Sequence, residues 1–488
     1  MGATGRVRLG AFAAALALLL SASACSRFQE SQQIVMPLPE LPKSQPAQSA
    51  RVNREHARIL ASYGGEYDDP RLKTLVERTV KRLVAASDRP DQRYRITLLN
   101  SPAVNAFALA SGDLYVTRGL AALANDTSEL ASVLAHEMAH VTARHAAIRE
   151  DKARQAALVA NVVNQVLSDP QMGALALAKS NIALASFSRA QEFEADSIGV
   201  GIAARAGFDP YGAERFLNAM GRNASLRASP GQTTEAQPVE FLSSHPATPD
   251  RVRNAISAAR RYTARGAGEH DKQTYLAALD GLVYGEDPNE GYVRGRNFLH
   301  PKLGFTFVAP PAFALDNTAQ AVLGIKAGGG EALRLDVVKV PTEQSLSAYL
   351  TSGWLENIDK GSIRETTING FPGATAAARG ENWSFRLYAV RFGSDVYRFI
   401  FAAKEMTPEA ANAFEKSIAT FRRLSLAEIK AATPLRLSIR TVQAGDTVER
   451  LARGMPVPDR PVERFRVLNG LGPKEQPKPG DLVKVVVE

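Results

Sequence analysis

The stretch His136-Glu137-Met138-Ala139-His140 decides the fold around it, because its chemistry requires a helix. On a helix, residues four apart lie within about 40° of each other, so both imidazoles face one side and can reach one ion at roughly 2.0–2.1 Å. Glu137 then lies beside that ion, where its carboxylate can take a proton from metal-bound water. The stretch predicts a zinc-hydrolase site, with His136 and His140 as ligands and Glu137 as the general base.

A helix over this stretch has independent support in the flanking sequence. Asp126, followed three residues later by Glu129, is typical of a capping box. Leu130, Val133 and Leu134 then form an apolar stripe at helical spacing. The alternative is a chance match, but the chain has only seven histidines in 488 residues.

A zinc hydrolase needs a third protein ligand and an open fourth position, and the segment 188–196 can supply the ligand. We choose Glu192. Asp196 lies one helical turn further on the same face, where it can accept a hydrogen bond from a liganding imidazole and fix its tautomer. Glu194 should point elsewhere. The alternative is a solvated acidic helix face without a ligand role.

Three motifs in this order carry a family resemblance. They are Asn105-Ala106-Phe107-Ala108-Leu109 with Gly112-Asp113-Leu114-Tyr115-Val116-Thr117-Arg118-Gly119-Leu120, then Glu129 to Glu137, then the E-x-x-x-D of Glu192 and Asp196. Over residues 51–265 the chain resembles the gluzincin metallopeptidases that include HtpX, the CaaX prenyl proteases and BepA. The resemblance implies a mainly helical zincin-type domain with one zinc ion per chain. It also implies that Glu192 is the third ligand.

The same family has a later H-P-x-x-x-x-R motif that approaches the metal, and this chain matches it from His245 to Arg251. His245 has two alternatives: a plug on the fourth zinc position, or a donor that stabilises the oxyanion in catalysis. Arg251 either orients the substrate backbone or is an exposed arginine at a helix start. His145, nine residues after His136, should face away from the metal if the helix continues.

The chain start predicts export. Arg6 and Arg8 precede an apolar run from Leu9 to Leu20, which is too short to span a bilayer stably, and small residues follow before Cys25. The pattern resembles a bacterial lipobox, in which the only cysteine of the chain is lipidated, although Ala22 stands where leucine is usual. We expect a periplasm-facing lipoprotein, anchored in the outer membrane. Cleavage to a soluble periplasmic protein is the alternative.

The sequence predicts an α+β multidomain protein. We expect a signal peptide over 1–24, a lipidated cysteine and Pro/Gln/Ser-rich tether over 25–50, the metallopeptidase domain over 51–265, a connector over 266–300, a small α+β domain over 301–426 and a C-terminal module over 434–488. Within the catalytic domain, 156–185 reads as two amphipathic helices, a candidate lid, and 221–239 as a polar loop. In the α+β domain we expect strands at 304–308 and 396–401, and helices near 345–358 and 407–422.

The C-terminal segment resembles a LysM module. The resemblance rests on the stretches 441–448, 465–471 and 478–485, whose order suits a βααβ unit. Such modules commonly bind peptidoglycan glycans, which implies contact with the cell wall. An enlarged loop at 455–463 and Gln476-Pro477 depart from the pattern, so a module that does not bind glycans is the alternative.

The formal net charge is +9, but the basic residues are dispersed and no nucleic-acid module is recognised. We therefore expect no nucleic-acid partner. The function predicted is a zinc-dependent endopeptidase of the bacterial envelope, which cleaves unfolded or misassembled envelope proteins. The alternatives are an envelope chaperone or cell-wall scaffold with a plugged, weakly active site, and an amidase that acts on peptidoglycan peptides.

Overall fold

The computed structural model describes residues 46–149, 151, 187–227, 245–246, 248–264, 268–318, 321–352, 357–457 and 459–488. The chain forms two compact units, 1–52 and 53–488. Of the first unit only the start of helix α1 (Pro46–Ser62) is described. The predicted signal peptide, Cys25 and the candidate lid at 156–185 lie outside the described residues. Within the described ranges, no helix combines the length and the apolar character needed to cross a membrane.

The part of the second unit that carries the motifs is mainly helical. Its elements are α2 (Pro70–Ala86), β1 (Arg95–Leu99), β2 (Ala106–Ala108), β3 (Asp113–Thr117), α3 (Arg118–Leu123), α4 (Thr127–Thr142), α5 (Arg189–Arg205), α6 (Gly212–Arg227), α7 (Pro249–Ala259) and α8 (Lys272–Leu279). The strands form one sheet of order β1-β3-β2, in which β1 pairs with β3 in parallel and β2 with β3 antiparallel. Strand β2 is therefore an edge strand.

Helix α4 is the central helix of this part. It is buried on every side from Thr127 to His140, which explains why its apolar residues are not confined to one face. Asp126 caps it, accepting a hydrogen bond of 2.8 Å from the N–H of Glu129. The Glu129 carboxylate does not return to Asp126 as a capping box would; it accepts from the N–H of Asn125 at 2.9 Å. The prediction of a helix start at Asp126 is thus confirmed, with a different reciprocal bond.

Helix α5 approaches α4 closely at Gly199. A Cβ atom at this position would lie 2.9 Å from the backbone nitrogen of His136 and 3.1 Å from the carbonyl carbon of Ala135. Only glycine fits that separation, because real Cβ atoms essentially never come within 3.0 Å of backbone. This contact brings the first two turns of α5 within reach of the histidines on α4.

The prediction of a polar loop over 221–239 is wrong for its first seven residues. Helix α6 continues through them to Arg227, and Leu226 is buried in the same core as α4. Leu226 lies seven residues after the buried Ala219, at helical spacing, so both face the core although the stretch between them is polar. The rest of that segment, 228–239, lies outside the described residues.

The next part is built from two antiparallel sheets. Its elements are β4 (Tyr292–Arg294), β5 (Asn297–His300), β6 (Phe305–Val308), β7 (Phe313–Asn317), β8 (Val322–Lys326), β9 (Glu331–Lys339), α9 (Leu346–Leu350), β10 (Ile358–Ile368), β11 (Phe371–Arg379), β12 (Ser384–Phe392), β13 (Asp395–Ala403), α10 (Pro408–Ile418), β14 (Arg422–Arg423) and α11 (Leu426–Ala431). The sheet orders are β10-β11-β12-β13-β9-β8-β7 and β14-β6-β5-β4. The predicted strands appear as β6 and β13, and the helix near 407–422 as α10. The helix predicted near 345–358 ends at Leu350, and Ile358 already begins β10.

The C-terminal segment runs β15 (Arg436–Thr441), α12 (Val448–Arg453), α13 (Pro461–Leu468), β16 (Leu482–Val487), with the two strands antiparallel. It shares one hydrophobic core with the helical part. Lys484 is fully buried, and its ammonium donates to the carbonyls of Ala122 and Ala124, both at 2.7 Å, at the end of α3. The segment is therefore packed on the helical part, and its glycan binding stays a prediction.

Candidate metal centre

Four side chains converge between α4, α5 and the chain just before α7. They are His136 and His140 on α4, Glu192 on α5, and His245. One ligand atom from each lies within 4.8 Å of all the others, and all four residues are buried. The Nε2 atoms of His136 and His140 are 3.0 Å apart, and Nδ1 of His245 is 2.9 Å from Oε1 of Glu192.

These separations suit one tetrahedral ion. With bonds of about 2.0–2.1 Å, the donor atoms of a tetrahedral zinc site lie about 3.3–3.4 Å apart. The Nε2 atom of His136 is 3.3 Å from Nδ1 of His245 and 3.6 Å from Oε2 of Glu192, and Nε2 of His140 is 3.5 Å from Oε1 of Glu192. Three imidazoles and one carboxylate are donors that zinc prefers. The residues present therefore fit a zinc ion.

Burial keeps the imidazoles neutral, as metal ligation requires. Burial lowers the pKa of His136, although its contacts with Asp196 act in the opposite direction. Burial also lowers the pKa of His140, and neighbouring histidines and Arg251 lower it further. The pKa of His245 falls to about 3 for the same reasons, burial first and then Arg251. Protons therefore do not compete for these nitrogens near neutral pH.

A buried ion pair stands behind His136. Oδ1 of Asp196 lies 3.0 Å from Nδ1 of His136, so the imidazole can present Nε2 to the ligand cluster. Arg251 donates to both oxygens of Asp196, at 2.7 and 2.8 Å, and its Nη1 lies 2.8 Å from Oε2 of Glu192. Burial raises the pKa of Asp196, but the bonds from Arg251 and His136 outweigh it and hold the pKa at about 2. Asp196 is thus an anion held in place.

Arg251 is only 3% exposed, so the alternative of an exposed helix-start arginine is wrong. Thr248 caps its helix α7, which begins at Pro249, so Arg251 lies in the first turn, and its side chain is buried. Its guanidinium faces Glu192 and Asp196. Nothing in the motif spacing alone indicated that the arginine would reach the carboxylates of the E-x-x-x-D motif.

The expectation that His145 faces away from the metal site is wrong. Helix α4 ends at Thr142, and Arg144 takes a positive φ of 57°, which redirects the chain. Nδ1 of His145 then lies 2.9 Å from Nδ1 of His140, and its Nε2 lies 3.2 Å from Oε2 of Glu194. The continuous-helix assumption failed because α4 ends at Thr142, three residues before His145.

Glu137 is buried beside the cluster. Burial and the nearby charge of Glu192 raise its pKa well above the usual value, while Arg251 and a hydrogen bond from the backbone of Ala108 oppose the rise. Its Oε1 atom has no hydrogen-bond partner among the described residues, and lies 3.8 Å from Nε2 of His245. An unpartnered buried oxygen at this place is suited to receive a proton or a hydrogen bond from a ligand.

Residues 70–259 match the family model described as peptidase family M48. They form a peptidase family M48 domain. The M48 domain contains both helices α4 and α5 with the H-E-x-x-H and E-x-x-x-D motifs, and His245 and Arg251. The resemblance inferred from these motifs is therefore confirmed at the level of the family.

Similar proteins match part of the chain rather than the whole of it. The chain is 32% identical over 232 residues to the beta-barrel assembly-enhancing protease of Yersinia pestis, covering 45% of this chain and 46% of that protein. Its counterpart in Escherichia coli K12 is 32% identical, covering 40% of each chain. The mitochondrial metalloendopeptidase OMA1 of Schizosaccharomyces pombe is 35% identical, covering 36% of this chain and 50% of that protein. The matched region thus spans half or less of each of these relatives.

Proposed function

We propose that this protein is a zinc-dependent endopeptidase of the bacterial cell envelope that cleaves unfolded or misassembled envelope proteins. The observation that carries the proposal is the buried group His136, His140 and Glu192 with Glu137 beside it, inside an M48 domain. The relatives named as proteases support the reaction class, and the beta-barrel assembly-enhancing proteases among them support a role in envelope quality control.

In this proposal His136, His140 and Glu192 hold the ion. When bound, zinc polarises the scissile carbonyl and lowers the pKa of its water to about 7. Glu137 is the general base: its free Oε1 accepts the proton of the attacking water, and the carboxylate can return that proton to the leaving amine. Arg251 and Asp196 position the ligands, because their guanidinium and carboxylate contact Glu192 and His136. The predicted role of Arg251 in orienting substrate stays a prediction.

In this proposal an extended substrate peptide pairs with strand β2. Strand β2 is the edge of its sheet, and the backbone of Ala108 on β2 hydrogen-bonds Glu137. An extended peptide can add to such an edge through its backbone, largely independently of its side chains. A peptide paired with β2 lies next to the general base, which suits an enzyme that accepts many unfolded sequences.

His245 restrains activity in this proposal. Its Nδ1 belongs to the donor cluster, so it can occupy the fourth position of the ion that water needs. The site observed is therefore suited to a latent enzyme. A permanently plugged site would make the protein a chaperone or scaffold, which is the second candidate, and this same contact is the observation that favours it.

Envelope location is part of the proposal and rests on the sequence of the first 25 residues. Replacing Cys25 by Ala should abolish acylation and leave the protein unprocessed or soluble, whereas Ser26→Ala should remain anchored. Mass spectrometry of the mature N-terminus decides between the lipoprotein and a soluble periplasmic product. An unmodified N-terminus in the wild-type protein contradicts the anchor.

Proteolysis and the second candidate are separated by the purified full chain with unfolded casein. The proposal predicts cleavage that a zinc chelator stops and added zinc restores. Prevention of casein aggregation without cleavage, with or without chelator, supports the chaperone. Release of peptides from muropeptides instead of casein supports the amidase.

A further inference from the structure

We propose that His145 is a positioning residue of the metal site: it accepts a hydrogen bond from Nδ1–H of His140 and is itself anchored by Glu194, which fixes Nε2 of His140 toward the ion. The inference rests on the metal site proposed above. It gives a role to two residues that the H-E-x-x-H and E-x-x-x-D motifs do not include.

A single assignment of protons satisfies all the contacts. Nε2 of His140 lies in the donor cluster, 3.0 Å from Nε2 of His136, so it must offer a lone pair and its proton must be on Nδ1. Nδ1 of His145, at 2.9 Å, is then the acceptor. With Nδ1 of His145 accepting, its Nε2 carries the proton and donates it to Oε2 of Glu194 at 3.2 Å. The hydrogen bonds thus hold His140 and His145 each in one tautomer.

The backbone supports the same arrangement. The positive φ of Arg144 turns His145 back toward His140 immediately after the end of α4. The carbonyl of His145 lies 3.5 Å from Nε2 of Gln191, the residue that completes the capping box of α5. The first turn of α5 also carries Glu192. His145 thus connects the end of one ligand-bearing helix to the start of the other.

The two ligand imidazoles are supported differently. Nδ1 of His136 faces the buried, ionised Asp196. His140 faces the ring of His145, whose carboxylate partner, Glu194, has a side chain 58% exposed to solvent. Water can replace much of what Glu194 provides, but His145 is 1% exposed, so no solvent can replace its Nδ1. Loss of His145 should therefore affect the metal site much more than loss of Glu194.

The experiment compares two substitutions at position 145, each of which replaces one of the two ring nitrogens of histidine by an amide. Asparagine places its amide oxygen where Nδ1 of histidine lies and keeps the acceptor, whereas glutamine places its amide near Nε2 and loses it. Zinc affinity of the purified full chain is measured by competition with a chromophoric chelator. We expect His145→Gln to bind zinc about 10–100-fold more weakly, which is the usual range for loss of a hydrogen bond that supports a metal ligand. His145→Asn, which keeps that hydrogen bond, should stay within about threefold of the wild-type affinity.

Two further variants keep the test decisive if His145→Gln folds poorly, which thermal unfolding of the metal-free proteins will show. Glu194→Gln keeps an acceptor for Nε2–H and should match wild type, and Glu194→Leu should weaken zinc binding about three- to tenfold. Wild-type affinity in both His145→Gln and Glu194→Leu overturns the proposal, as does equal loss in His145→Asn and His145→Gln. A wild-type chain that binds no zinc would instead overturn the proposed function.

Discussion

Arg251 and Asp196 form a bidentate ion pair, with distances of 2.7 and 2.8 Å, in the interior behind His136. The pair joins the H-P-x-x-x-x-R motif, which contains Arg251, to the E-x-x-x-D motif, which contains Asp196. Desolvating two charges costs several kcal/mol, so such a pair is weak evidence for stability alone. Its value here lies in geometry, because the same guanidinium also contacts Glu192.

Replacing Arg251 by Lys should impair the site although charge is conserved, because an ammonium cannot contact two carboxylates with a fixed fork. We expect zinc affinity to fall about 10–100-fold and the metal-free protein to lose up to about 3–5 kcal/mol. Chelator competition and thermal unfolding measure both. Arg253→Lys, two residues further along α7 and 71% exposed at the side chain, is the control and should change stability by less than about 0.5 kcal/mol. Equal behaviour of the two variants would mean that the ion pair does not position the ligands.

Gly199→Ala should push α5 away from α4, since its Cβ would meet the backbone of His136 at 2.9 Å. Overpacking of this kind costs about 1–3 kcal/mol, and the displacement of Glu192 should weaken zinc binding as well. Gly201→Ala is the matched control on the same helix: its Cβ meets the hydroxyl of Tyr262, the end of an exposed side chain that can move. Alanine there should be neutral or stabilising by up to about 1 kcal/mol. A stable, fully metal-binding Gly199→Ala variant would refute the close-approach argument.

His245→Ala separates the two roles of this histidine. Because Nδ1 of His245 lies in the donor cluster, we expect the variant to cleave unfolded casein faster than wild type while it retains zinc. A fall of about a hundredfold with zinc retained would instead identify an oxyanion donor. Activity within about twofold of wild type would exclude both.

Local pattern was sufficient for much of the site. The spacing of His136 and His140 predicted their shared face, and the one-turn spacing of Asp196 after Glu192 predicted that both carboxylates lie on one face of α5, because both depend only on helix geometry. Strands β6 and β13 were also predictable from their alternation. His145 was not, because its position depends on a chain reversal at Arg144.

Tertiary packing decided the rest. Whether Arg251 is exposed depends on the packing of α7 against α5, and no spacing in the motif specifies it. The contact of Lys484 with the carbonyls of Ala122 and Ala124 joins residues about 360 apart in sequence. No periodic pattern in the sequence indicates the burial of Arg251 or the contact of Lys484, so only the folded chain reveals them.

The most direct test of the account is the zinc content and peptidase activity of Glu137→Gln in the purified full chain. Glutamine keeps the shape of the side chain and removes the base, while the ligands His136, His140 and Glu192 stay. The account predicts about one zinc per chain, as in wild type, with casein cleavage lower by about two to four orders of magnitude. Wild-type cleavage by this variant would contradict the assignment of Glu137 as the base, and a chain that binds no zinc with or without the substitution would contradict the metal centre itself.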